Sequence, residues 1–280
     1  VLVGIAALNY QTLLDDYTLS VYQPSAKVSA FESRVTLTRH AQAVFGRANP
    51  VFDDKQTFNR DCDTQPHELE LGCYYRGRIY VLQVDNASLA PEMDVVAAHE
   101  LLHAVWEGMS PSDRQVIGKE LERVYAGITD QDLKDRMAGY AQSEPGEQDN
   151  ELHSILGTEY ATTSPLLEAH YTKYFANRPQ VVAEHAAYKA VFESRRTELE
   201  SELASIRSEK AQLSLINRQL DSLRASGQIA AYNALVPKQN QLVDDINSRI
   251  EKYQSGVDEY NALSKSLDSQ EITDTEPAAQ

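Results

Sequence analysis

Cysteine is scarce in this chain: 280 residues contain only Cys62 and Cys73. Two are too few for a four-cysteine metal finger or for a small scaffold held by disulfides alone. Basic residues are outnumbered, 26 Lys and Arg against 42 Asp and Glu for a net charge of −16. No basic stripe with interleaved aromatics occurs, so nucleic acid is excluded as an expected partner and an anionic membrane surface is disfavoured. Long apolar runs are missing as well. Val1 to Leu8 are apolar, but eight residues fall short of the about 20 that span a bilayer. Residues 1–10 are therefore read as the remnant of a signal peptide or N-terminal membrane anchor, with a buried strand as the alternative. Membrane contact is expected only through such a segment.

The acid is unevenly placed. Residues 1–60 hold six basic and five acidic side chains, whereas residues 91–160 hold 15 acidic against 5 basic. Pairing of Cys62 with Cys73 would close a short loop, stabilising the fold by about 3 kcal/mol in the loop-entropy model. It would also imply an oxidising compartment, extracellular or in the cell envelope.

The apolar positions Val28, Phe31, Val35, Leu37, Ala41, Val44 and Phe45 recur at mostly helical spacing and predict one helix over about 23–45, closed by Pro50. Residues 51–70 read as polar and turn-rich. Gly72 to Tyr75, an Arg76-Gly77 turn and Arg78 to Val84 predict a β-hairpin. Helix starts are expected at Ser110-Pro111, Thr129-Asp130 and Ser164-Pro165. A further helix is expected over about 146–156, stopped by Gly157. The last hundred residues differ in kind. Phe192, Leu199, Ile206, Leu213 and Leu220 are spaced by seven; so are Val236, Val243, Ile250 and Val257, with Ile246, Tyr253, Tyr260 and Leu267 offset by three. This predicts an antiparallel coiled-coil hairpin with its tip at 226–235 and its second arm from about Pro237, the arms reaching roughly 45 Å at about 1.5 Å per residue. The fold class expected is thus mainly α (α+β): a helical domain with a small sheet over 11–179, the hairpin over 180–267, and a disordered acidic tail over 268–280.

The chemistry is carried by His99-Glu100-Leu101-Leu102-His103. On a helix, positions i and i+4 share a face, so both imidazoles can address one ion while Glu100 lies beside its water. The flanking Val96-Ala97-Ala98 and Ala104-Val105 are uncharged. In this motif and its surround the sequence resembles the zincin metallopeptidases. The resemblance implies a Zn2+ cofactor, hydrolysis of a peptide or protein substrate, and Glu100 as general base. The extended motif with a third His, His-Glu-x-x-His-x-x-Gly-x-x-His, is absent, since position 106 is Trp and position 109 is Met. The third ligand is therefore expected to be a Glu from a later helix, as in the gluzincin group. Asn150-Glu151 looks like the Asn-Glu opening that helix, making Glu151 the first choice, with Glu159 or His153 as alternatives. The sequence departs from the gluzincin pattern at Ile155, where an acid often orients a ligand His; Glu159 could take that role. Tyr160, Tyr140 and His153 are candidate donors to an oxyanion, and Trp106 is read as core. A reading of another class stands beside this one: an exported or membrane-anchored interaction protein that works through its coiled coil and keeps a structural or degenerate zinc site. Retention of Glu100, which a structural site does not need, favours the hydrolase.

Overall fold

The computed structural model describes residues 2–62, 71–84 and 86–267. The chain is mostly helical, with a small three-stranded sheet and a long pair of C-terminal helices. It divides into two compact units: one holds the residues through Tyr188 together with the chain from Ser266 onward, and the other is Lys189–Lys265.

The first unit opens with α1 (Leu2–Val21), so the first residues form a helix and not the strand offered as one reading. α2 (Ala26–Arg34) and α3 (Arg39–Arg47) follow where one helix is expected from periodicity. The break is a tertiary effect. Thr36 takes φ 53°, and its carbonyl and hydroxyl oxygens accept from the backbone N–H groups of Ala176 and Asn177. Leu37 forms an isolated bridge with Phe175, and Thr38 then caps α3 by accepting from the Ala41 N–H. Those partners lie far along the chain, beyond the reach of a periodicity argument.

The stretch after residue 50, expected to be turn-rich, contains β1 (Val51–Asp53) and α4 (Lys55–Asp61). The hairpin expectation holds: β2 (Gly72–Tyr75) and β3 (Arg78–Leu82) pair antiparallel, Tyr75 opposite Arg78, around a turn in which Arg76 and Gly77 both have positive φ. That twist is the one two-residue hairpins favour. β1 joins β3 in parallel, giving the order β1-β3-β2 with β2 at an edge. Cys62, at the end of α4, is disulfide-bonded to Cys73 on β2 across a Cα separation of 6.2 Å. The link fastens α4 to the edge strand.

Against the sheet lies α5 (Ala90–Gly108), which begins with Pro91 in its first turn and carries the His-Glu-x-x-His motif. It packs on β2 and β3 on one side and on α8 (Gln148–Thr158) on the other. α6 (Pro111–Ala126), α7 (Gln131–Ser143) and α9 (Pro165–Tyr171) complete the layer, capped by Ser110, Asp130 and Ser164. Of the Thr129-Asp130 pair, Asp130 is the cap. Gly157 does not stop α8 but lies inside it. A Cβ there would come within 2.4 Å of Leu102 and 2.8 Å of Tyr171, so its role is to let α8 approach α5.

α10 (Arg178–Ala225) is one unbroken helix whose first three turns, with Val181 and Val182 buried, belong to the first unit. The hairpin therefore parts from the globule at about residue 188, not 180. α11 (Ile229–Leu267) starts earlier than expected, contains Pro237, and leaves only Ser226-Gly227-Gln228 as the tip. Within the second unit, Arg249 bridges Glu202 and Glu209, Gln239 reaches Asn217, and the Phe192 and Tyr260 rings meet edge to face. Partner numbers rise on one helix as they fall on the other, which is the antiparallel arrangement. Ile206, Ile216, Leu220 and Ile246 are its buried seam. Residues 268–280, expected as a tail, lie outside the described residues.

Candidate metal centre

His99, Glu100 and His103 form a group able to hold a metal ion, with one ligand atom from each lying within 4.8 Å of the others. α5 brings them together because one helical turn separates the two histidines, and the uncharged residues round them bury the helix. Across the α5–α8 interface comes Glu151. Its Oε2 is 3.7 Å from His99 Nε2 and its Oε1 3.5 Å from His103 Nε2. Two imidazole nitrogens and a carboxylate thus converge, and Glu151 is 5% exposed. A buried carboxylate needs such company.

Electrostatics bind the three together. Burial raises the Glu151 pKa, but His103, His99 and Arg136 outweigh it and hold the carboxyl below its ordinary value. For His99, burial works against the cation, yet Glu151, Glu100 and Glu159 leave its pKa raised. For His103, burial prevails, with His99 adding to it, and the pKa is lowered despite Glu151. A neutral His103 keeps a lone pair on Nε2 if Nδ1 carries the proton. Nδ1 is 2.9 Å from Asn150 Oδ1, and the Asn150 amide donates to Glu147 at 3.1 Å. An amide oxygen can only accept, so this contact selects that tautomer.

The three side chains open into a cavity of about 330 Å³. One wall is β2, through Gly72, Cys73, Tyr74 and Tyr75, with Cys62 beside them; the other holds Tyr140, Glu144, Glu147, Asn150 and Glu151. Gly72 is needed where it stands, because a Cβ would lie 2.8 Å from Glu100 Oε1 and 2.5 Å from Val96. Glycine lets the edge strand lie directly over the Glu100 carboxylate. The outer edge of β2 pairs with no strand among the described residues.

The other sequence-predicted residues fall elsewhere. Glu159 caps the end of α8, and both its oxygens accept from Arg136, at 2.7 and 2.8 Å. His153 is fully buried and does not line the cavity, with Nε2 2.8 Å from His170 Nε2 and its ring against Trp106 of α5. Tyr160 donates to Asp130 at 2.9 Å. Of the three oxyanion candidates, only Tyr140 lines the cavity. Trp106 is in the core, as expected.

Sequence reasoning misses a row of partly buried ionisable side chains beside these groups. His185, on the first turns of α10, sets Nε2 3.5 Å from Glu159 and Nδ1 3.6 Å from Glu92 of α5. Glu92 stands seven residues before His99, hence on nearly the same helix face, a signal that was readable. His185 and Arg136 come from distant elements and left none. Against known proteins, no family model, no curated protein and no solved structure matches this chain.

Proposed function

We propose that the chain is a zinc-dependent metalloendopeptidase of the His-Glu-x-x-His type, with His99, His103 and Glu151 as ligands and Glu100 as general base. The observation that carries this reading is the approach of both imidazole Nε2 atoms to one carboxylate, at 3.7 and 3.5 Å. Ligands about 2.0–2.1 Å from a tetrahedral ion stand about 3.3 Å from one another, so the donor set fits zinc with little adjustment. Nitrogen and carboxylate donors, and a cavity leaving one direction open, are what a catalytic rather than a structural zinc takes.

Bound there, zinc would supply Lewis acidity, acidifying a water and polarising the substrate carbonyl. The chain's own residues do the rest. Glu100 accepts the proton of the attacking water and returns it to the leaving nitrogen as the C–N bond breaks. Asn150 keeps His103 in the tautomer that faces the cavity. The outer edge of β2, unpaired among the described residues, would offer backbone N–H and C=O groups to an extended peptide, and Tyr140, which lines the same cavity, would donate to a developing oxyanion. Glu100 separates this reading from a purely structural zinc site. Glu100→Gln is expected to keep one zinc per chain and lose at least about 100-fold in kcat/KM on an unstructured protein such as casein. Undiminished cleavage by that variant, with zinc still bound, contradicts the mechanism.

A further inference from the structure

α1 packs along α3 through charged contacts, with Leu14 and Leu19 partly buried, and carries a second apolar stripe that faces outward. Asp15, 7% exposed, accepts from Arg47 at 3.0 Å and lies 2.6 Å from His40 Nδ1; Asp16 accepts from Arg39 at 2.7 Å. These are the two charged residues of α1, and α3 pairs both. On the outer side Tyr10, Leu13, Tyr17 and Val21 are 68%, 67%, 66% and 59% exposed. Their spacing of three, four and four places them on one helix face, inverting the usual rule that the apolar face packs inward. Exposed apolar residues scattered singly need no explanation, but a contiguous stripe does.

Two observations identify what covers it. The same helix begins with Leu2-Val3-Gly4-Ile5-Ala6-Ala7-Leu8, a run of sequence without a polar residue. A one-sided contact needs apolarity on one face only, whereas an uninterrupted apolar run suits immersion in hydrocarbon. The stripe below them is half tyrosine, whose ring and hydroxyl suit the boundary between hydrocarbon and water. No described helix is long and apolar enough to cross a membrane. We propose that α1 is a lipid-contacting element, its N-terminal turns and its Tyr10-Leu13-Tyr17-Val21 stripe entering the outer layer of a neutral bilayer. This is independent of the peptidase reading.

The test is flotation of the full chain with phosphatidylcholine vesicles. The wild type is expected to float with them, and Leu13→Ser/Tyr17→Ser to lose about 10-fold or more in partitioning. Val116→Ser/Leu166→Ser, which alters exposed apolar residues elsewhere in the same unit, is expected to float like the wild type. All three proteins should share one circular dichroism spectrum, because every substituted side chain faces solvent. A wild type that stays with the unbound fraction overturns the proposal, as does equal flotation of the Leu13/Tyr17 variant. A lipid-free dimer abolished by that variant, with no vesicle binding, also overturns it and assigns the stripe to a second copy.

Discussion

His153 and His170 show how much a single side chain's surroundings decide. Their Nε2 atoms are 2.8 Å apart in the core, so one ring donates and the other accepts, and the two cannot both be cations without breaking the pair. Burial, aided by Lys173, lowers the His170 pKa to about 4, and burial with His170 lowers that of His153 well below its usual value. A His whose folded pKa lies below its unfolded value of about 6.5 contributes stability above that pH. The contribution is lost as pH falls from about 6.5 through about 4, and the shift bounds it at about 3 kcal/mol. Chelator-treated protein, in which metal loss plays no part, should therefore lose stability over that window. His170→Gln, which can still donate to His153 but does not titrate, should flatten the decline; an unchanged acid limb in urea unfolding contradicts this account. At the same scale, the His-Glu-x-x-His turn was legible because its geometry is local, fixed by helix periodicity alone. The Asn150 contact to His103 and the His185–Glu159–Arg136 row were not, since each needs elements brought together from 23 to 47 residues apart.

At the scale of elements, α8 carries Glu151 and is terminated by a guanidinium. Arg178, with its side chain 2% exposed, donates to the carbonyls of Leu156, Gly157, Tyr160 and Ala161 and to the Glu168 carboxylate. It serves the carbonyls that the end of a helix leaves without partners. Arg178→Ala should cost about 3–5 kcal/mol, since it leaves buried acceptors unserved. Arg178→Lys should recover only part of this, because one ammonium cannot replace a planar fork. Equal stability of the Arg178→Ala protein in urea melts would show that α8 is held by packing alone. Element reading from sequence succeeded where the signal was short-range, as in the Arg76-Gly77 hairpin and the Ser110 and Ser164 caps. It failed where distant chain intervened. Thr36 is bent by Ala176 and Asn177, β1 exists only through β3, and Gly157 answers to Leu102 and Tyr171 across a helix interface.

For the molecule as a whole, the net charge of −16 resolves into an almost neutral first 60 residues and an acidic remainder. The neutral part bears the outward apolar stripe of α1. The acidic part supplies Glu100, Glu144, Glu147 and Glu151 to the cavity. The seven-residue repeats announced a pair of long helices from sequence alone, because an apolar seam between helices is periodic; where the second unit parts from the globule was not legible, because α10 runs through that boundary without a break. The account rests on a metal at the meeting of α5 and α8, and anomalous diffraction at the zinc edge from crystals of the full chain grown with one equivalent of zinc tests it most directly. The account predicts one peak about 2.0–2.2 Å from His99 Nε2, His103 Nε2 and a Glu151 oxygen. No peak there, or a zinc held by Glu159 in place of Glu151, would contradict it.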